Sequence, residues 1–468
     1  MSEQHFDVVV IGGGPGGYAA ALYGASAGLD IAIIEKHKLG GTCLNVGCIP
    51  AKELLETAAV KRTIDHASAF GITAETTGVD WGVTLQRKQG IIDQLVGGVT
   101  GLLKNRKVTI FDGVGTLGAD HQTVAISGGS SGDVAISGDA VILAAGSVPR
   151  TIPGFPIDDR QIVTSDELLS IPELPKSAVV IGGGAIGCEF ASMMSDMGSE
   201  VTIIEAAPSI LVNCDVDIVK VVERSFKKRG IAVHAGVMVT GQETTADGVT
   251  VSFGEDQQVT AETVVVSIGR RPASETLGLE GTQVVVDERG FIAADEYCRT
   301  NVPGVYAVGD VINTAQLAHI GFAEGMLAIT DILGEDGMPV DYGKVPWCIY
   351  CHPEVAFAGM TEAEAKEAGH DVLVSKHRFT GNGRAMIVGE TDGLVKIVAE
   401  KRADGTGGKM LGVHMVGPWV TEQLGQGYMA VNWEATVDEV AQFVQPHPTM
   451  SELFGESVLA MTGRSLHG

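Results

Sequence analysis

An α/β fold with two Rossmann-like dinucleotide-binding domains is what this sequence predicts, and two observations predict it. A glycine fingerprint occurs twice, each time between an apolar strand and a strand ending in an acid, and a close cysteine pair follows the first copy. The first copy runs Asp7-Val-Val-Val-Ile-Gly12-Gly-Gly14-Pro-Gly-Gly17, then a helix-like stretch, then Ile31-Ala-Ile-Ile-Glu35. The second runs Ser177-Ala-Val-Val-Ile-Gly182-Gly-Gly184-Ala-Ile-Gly187, a helix-like stretch, then Val201-Thr-Ile-Ile-Glu205. Glu35 follows Gly12 at the spacing at which Glu205 follows Gly182. In such a unit the first glycine makes the tight turn, the second admits a pyrophosphate, and the third packs helix on strand. The pyrophosphate then rests on a helix N-terminus. Glu35 and Glu205 are each expected to accept a ribose hydroxyl, and a carboxylate at Glu205 repels a 2′-phosphate, so the second site should prefer NAD over NADP.

The cysteine pair lies in Gly40-Gly41-Thr42-Cys43-Leu44-Asn45-Val46-Gly47-Cys48-Ile49-Pro50-Ala51-Lys52. The nearest histidines, His37 and His66, fit no metal-site spacing, so no metal is expected and a redox-active disulfide is the better reading. Pro50 opens a helix-like stretch, which puts Cys48 at or just before a helix N-terminus. There unpaired N–H groups favour an anion and lower a thiol pKa. Lys52, one turn in, adds a positive charge that can face a cofactor. Two dinucleotide units and a dithiol together predict electrons passing between a nicotinamide, a flavin and a disulfide. The flavin is assigned to the first unit because that unit leads directly into the cysteines. The stretch Thr300-Asn-Val-Pro-Gly304-Val-Tyr-Ala-Val-Gly309-Asp310 is read as a strand whose Gly-Asp end brings backbone and carboxylate to the flavin.

At 468 residues the chain is long enough for two to four domains. A net charge of −26 argues against a nucleic-acid partner, because phosphate backbones demand basic surface. No apolar run is long enough for a membrane span, and the N-terminal residues show no basic-then-apolar leader, so a cytoplasmic location is expected. Seven cysteines at irregular spacings do not form a secreted disulfide framework, and Cys188, Cys214 and Cys298 read as small core residues. Ser127 to Gly132 reads as a hairpin turn between short strands. Cys348-Ile-Tyr-Cys351-His352 mimics a haem-attachment string, a reading set aside for lack of an export signal.

In this order the motifs resemble the pyridine nucleotide–disulfide oxidoreductases, and within them the dihydrolipoamide dehydrogenases. The resemblance spans nearly the whole chain. It takes in Ala144-Ala-Gly146-Ser-Val-Pro149, Ile268-Gly269-Arg-Arg-Pro272, Leu317-Ala318-His319 and His447-Pro-Thr-Met-Ser-Glu452. Ala51, Ala145 and Cys351 depart from its commoner residues without touching those that carry the chemistry.

The resemblance implies an FAD-binding domain over 1–147, an NAD-binding domain over 148–269, a central segment over 270–346 completing the FAD site, and a C-terminal α+β dimerisation domain over 347–468. By the same resemblance Gly12, Gly14, Gly17, Glu35, Lys52, Gly146, Gly309, Asp310, Leu317, Ala318 and His319 serve FAD. Gly182, Gly184, Gly187, Glu189, Glu205 and Gly269 serve NAD, and Glu189 pairs with Lys52. His447 and Glu452 are the implied acid–base dyad, reaching the Cys43/Cys48 disulfide of the other subunit in a homodimer.

The implied reaction oxidises dihydrolipoamide with NAD⁺: the substrate thiolate attacks Cys43, and Cys48 leaves as the thiolate facing the flavin. Implied partners are lipoyl domains and the core or peripheral-subunit-binding domain of a 2-oxo acid dehydrogenase complex, or the glycine-cleavage H protein. The alternatives are an NAD(P)H-dependent reductase of another small disulfide and a mercuric reductase-like enzyme, although the tail lacks the cysteine pair the latter needs.

Overall fold

In the computed structural model, which describes residues 4–467, three sheets carry most of the chain. Met1–Glu3, part of the leader reading, and Gly468 lie outside the described residues. The first sheet grows from the run Phe-Asp-Val-Val-Val-Ile, whose near-continuous apolar character suits a parallel strand covered on both faces. That strand, β1 (Gln4–Ile11), pairs in parallel with β2 (Ile31–Glu35) on one side and with Val134–Leu143 on the other. Helix α1 (Pro15–Ser26) crosses between β1 and β2. Its small residues let the helix Ala318–Ile332 come very close: a Cβ on Gly325 would lie 2.3 Å from the Gly16 carbonyl oxygen. The strand Val305–Ala307 joins the same sheet beside Val134–Leu143, so the chain returns to its first unit after building the second.

The second sheet is wholly parallel, in the order Ala232–Ala235, Glu200–Glu205, Ser177–Ile181, Thr263–Val266, Ile162–Thr164. Helix Ala185–Met197 is its fingerprint helix, and a small antiparallel sheet spanning 239–261 packs beside it. The third sheet is antiparallel, in the order Trp347–Ile349, Glu354–Gly359, Gly407–Gly417, Leu394–Lys401, Val372–Arg378. Helices Val420–Asn432 and Glu452–Ala460 cover one face of it through Val420, Leu424, Phe454 and Val458.

Local details refine the sequence reading. Residues 128–133 form the turn of an antiparallel hairpin between Thr123–Ser127 and Val134–Leu143. The strand before Gly309-Asp310 ends early, at Ala307, and those two residues open a 3-10 turn. His352-Pro353 lies in the turn joining two strands, and Glu354 begins the second of them. Cys188 and Cys298 are buried, whereas Cys214 is only half-buried. Among the described residues, no helix is long and apolar enough to cross a membrane, and no group of His, Cys, Asp and Glu side chains is arranged to hold a metal.

Candidate active site

One cleft of about 1900 Å³ runs from the first fingerprint to the second, with both cysteines on its wall. Its two ends are built alike. Gly12 and Gly182 turn the chain at φ +111° and +109°, and a Cβ there would lie 2.2 Å from the Ala144 carbonyl oxygen or 2.4 Å from that of Ser267. Only glycine fits such a turn. Glu35 accepts hydrogen bonds from the amides of Gly13 (2.7 Å) and His37 (2.8 Å), and Glu205 accepts them from Gly183 (2.5 Å) and Ala207 (2.6 Å). Each carboxylate is thereby fixed at the rim of the cleft beside its glycine turn. Gly17 and Gly187 sit beneath these turns, where a Cβ would meet the carbonyl oxygen of Gly12 or Gly182 at 1.8 and 1.9 Å.

The second glycines differ. A Cβ on Gly14 would touch only Gly41 Cα, at 3.9 Å, and one on Gly184 would meet nothing within 4 Å. No protein atom requires glycine there. The space lies in the cleft, before the N-termini of α1 and of Ala185–Met197, which is the cradle a pyrophosphate needs.

Both thiols of the dithiol line the cleft. Cys43 rides on a short helix, α2 (Gly41–Asn45), and Cys48 is the first residue of α3 (Cys48–Asp65). Both are free thiols hydrogen-bonded to each other. Donating that bond, together with burial, pushes Cys43 far above the ordinary thiol range. Cys48, receiving it, is lowered to about 7; burial opposes the shift, and the Lys52 charge adds to it. The surroundings therefore favour the proton on Cys43 and the negative charge on Cys48.

Lys52 Nζ donates to both oxygens of Glu189, at 2.9 and 2.8 Å, and lies 4.9 Å from the centre of the Tyr350 ring. Burial alone would lower the lysine pKa, but Glu189 outweighs it and the net shift is upward. The Tyr350 amide also donates to Glu189, at 2.9 Å, so three segments meet at this carboxylate. Tyr18 is pushed up to about 12, by burial first and then by the facing cysteines.

Elsewhere along the cleft, Ser147 donates to Asp310 at 2.5 Å and accepts from Arg270 at 2.8 Å. Burial raises the Asp310 pKa against both of these partners. Glu324, fully buried, accepts from the Gly309 amide at 2.6 Å and fixes the turn that carries Asp310. Gly146, Gly269, Leu317 and Ala318 line the cleft, whereas His319 is not among its lining residues and points Nε2 at the Pro346 carbonyl, 2.8 Å away. Asn45 Oδ1 and Gln316 Nε2 are buried without a hydrogen-bond partner, and both residues line the cleft. Unsatisfied polar atoms beside an open cradle are what a polar cofactor would complete.

Within one chain, His447 and Glu452 stand apart from this cleft. Nδ1 of His447 is 2.7 Å from Glu452 Oε1, the Thr449 amide donates to the other oxygen at 2.7 Å, and the histidine side chain is 78% exposed. Burial nudges the Glu452 pKa up, but Thr449 and His447 outweigh it and hold the carboxyl low.

Residues 6–325 match the family described as pyridine nucleotide-disulphide oxidoreductase, and residues 345–458 match its dimerisation domain. The chain belongs to the pyridine nucleotide–disulphide oxidoreductases. It is thus an oxidoreductase with FAD and NAD(H) as cofactors, and its dimerisation domain supports a homodimer. A dihydrolipoyl dehydrogenase of Bacillus subtilis is 42% identical over 99% of both chains, and one of Corynebacterium glutamicum is 38% identical over the same shares. LpdA from Mycobacterium tuberculosis has the same fold, with a TM-score of 0.91 at 24% identity over 98% of this chain and 99% of that one. The HOCl-induced flavoprotein disulfide reductase RclA of Escherichia coli superposes with a TM-score of 0.86 at 26% identity, covering 99% of each chain.

Several residues in the cleft wall or braced behind it were passed over by sequence reasoning. Tyr350 and Ser147 were visible only as members of longer motifs. Glu324 had a signal, a lone acid in the apolar stretch Ile320–Ile329, which usually marks a buried and partnered carboxylate.

Proposed function

We propose that this chain, as a homodimer, oxidises protein-bound dihydrolipoamide to lipoamide with NAD⁺ as acceptor. The observation that carries the reading is the Cys43–Cys48 pair in a cleft joining two dinucleotide cradles. Full-length relatives that carry the name dihydrolipoyl dehydrogenase support the choice of substrate.

Gly12, Gly14, Gly17, Glu35, Gly146, Gly309, Asp310, Leu317 and Ala318 hold FAD in this reading, with Lys52 beside it. Gly182, Gly184, Gly187, Glu189, Glu205 and Gly269 hold NAD. When bound, these cofactors supply the electron path from the dithiol to the nicotinamide. The protein's own part is thiol exchange and proton control. The partner subunit's His447, oriented by the partner's Glu452, takes a proton from a dihydrolipoyl thiol. The thiolate attacks Cys43 Sγ of the oxidised pair, the Cys43–Cys48 bond breaks, and Cys48 leaves as a thiolate. The second substrate thiol then attacks the mixed disulfide, its proton passing to Cys43 as the Cys43–substrate bond breaks and lipoamide is released. Two electrons now reside on the pair, with the proton on Cys43 and the charge on Cys48, as the hydrogen bond between them favours. Lys52 stabilises that charge, and Glu189 keeps Lys52 in place.

The lipoyl domains of a 2-oxo acid dehydrogenase complex or a glycine-cleavage H protein would present the substrate, in the cytoplasm. The test is NADH formation by the flavin-loaded dimer from dihydrolipoamide, with NAD⁺ and NADP⁺ compared. Rapid NADH formation with NAD⁺ strongly preferred supports the reading. Turnover only with another small disulfide would replace lipoamide by that substrate, the second reading that the likeness to a flavoprotein disulfide reductase keeps open.

A further inference from the structure

A groove of about 460 Å³ lies between the helix Val216–Lys228, which follows the second fingerprint unit, and the outer strands of the C-terminal sheet. We propose that this groove is a binding site for a small oligophosphate, a role separate from the redox cleft.

The periodicities of two elements build it. On the helix, Asp217, Lys220, Val221, Arg224 and Lys227 recur at three- and four-residue steps and share one face, while Ile218, Val222 and Phe226 fill the core on the other. On the sheet, Lys376 pairs in register with Lys396 and Arg378 with Leu394, so strand alternation turns these four toward the helix. Five cationic side chains, Lys220, Arg224, Lys227, Lys376 and Arg378, thus face the groove against two acids, Asp217 and Glu223. Asp217 is already occupied: it lies 2.6 Å from Lys376 and 2.8 Å from the fully buried Lys396, which also holds Asp215 at 2.8 Å. Arg224, Lys227 and Arg378 have no acidic partner among the described residues.

This concentration is unusual for a chain with 32 basic and 58 acidic residues. At physiological salt, charges farther away than about 8 Å are largely screened, so the local cations outweigh the net negative charge. The shape selects among anions. The volume suits a small ligand. One arginine comes from each wall, and the planar guanidinium binds phosphate through two parallel hydrogen bonds. The nearly buried Val221 and Leu394 give the floor an apolar strip. Because one wall belongs to the second dinucleotide unit and the other to the C-terminal sheet, a bound oligophosphate would tie the two together. Ligand bound only by the folded state raises its stability.

The experiment is calorimetric titration of the flavin-loaded dimer, saturated with NAD⁺ to fill its own phosphate sites, with inorganic tripolyphosphate at physiological salt. The expected result is one site per chain, a rise in Tm on binding, and loss of affinity by at least about tenfold in Arg224→Gln/Arg378→Gln. The single variant Lys227→Gln should lose less, and Lys409→Gln, outside the groove, should lose nothing. Dihydrolipoamide turnover without tripolyphosphate should be unchanged in all three, and because binding is read by heat and Tm rather than by turnover, that outcome is independent of the assigned substrate. No saturable binding, equal loss in Lys409→Gln, or binding of an oligoglutamate peptide but not of tripolyphosphate would overturn the proposal.

Discussion

The two dinucleotide units are near copies in backbone and differ in what their helices carry. Both turn at a glycine with φ near +110°, and both brace a strand-end glutamate on that turn. Yet α1 is small and apolar where the second helix bears Glu189; the matching position in the first unit is Ala19. The first unit can therefore press α1 against Ala318–Ile332 and present the dithiol through the loop that follows β2. The second reaches back with Glu189 to the Lys52 beside that dithiol. Their anchors differ as well: glycine-to-backbone packing holds the first unit, and Lys396 among Asp215, Asp217 and Glu362 holds the second to the C-terminal sheet. One fold can thus serve two electron-transfer partners, with the division of labour written in side chains beyond the fingerprint.

Variants that separate the two halves put this division at risk. The largest effect is expected for His447→Gln, which should slow dihydrolipoamide oxidation roughly a hundred- to ten-thousand-fold. NADH oxidation by an artificial acceptor, which needs only the two cofactor sites, should stay near the wild-type rate. Next is Lys396→Met. It strands Asp215, which is 3% exposed, and removing one partner from a buried ion cluster costs about 3–5 kcal/mol. Denaturant unfolding should show that loss, whereas a surface pair such as Lys61–Asp65 should give less than about 1 kcal/mol when broken.

Gly184→Ala probes the open cradle. With no protein atom within 4 Å of the new Cβ, Tm should hold while the KM for NAD⁺ rises by about tenfold, roughly 1.4 kcal/mol of lost binding. Gly14→Ala should instead weaken flavin retention. Equal stability losses in both would mean that the glycines serve packing. The smallest effect belongs to Lys52→Gln. Cys48 is lowered to about 7 and Lys52 contributes to that, so the thiolate prevails above pH 7 and is lost as pH falls through it. Without Lys52 the midpoint of that titration in the reduced enzyme should move up.

Sequence reasoning reached the two units because strand, glycines and acid lie within one short stretch and obey fixed spacing. It placed Cys48 at a helix start because Pro50 marks one. It did not see α2, since five residues beginning at a glycine carry no periodicity to read. Lys396 was invisible for another reason. In Leu-Val-Lys-Ile-Val-Ala-Glu-Lys a lone lysine reads as an exposed alternation, and its partner Asp215 lies 181 residues away. The same separation hid the basic groove, each wall of which looks like an ordinary solvated face. The short range of the His447–Glu452 pair made it legible, and the proposed mechanism uses it from the partner subunit because the pair does not line the cleft of its own chain.

The central claim is that Cys43 exchanges with substrate while Cys48 holds the charge beside the flavin. The visible spectra of Cys43→Ser and Cys48→Ser, titrated across pH 7, test it most directly. A long-wavelength thiolate–flavin band should appear in Cys43→Ser as pH rises and should be absent from Cys48→Ser at every pH. A band in Cys48→Ser with none in Cys43→Ser would reverse the two roles and contradict the account.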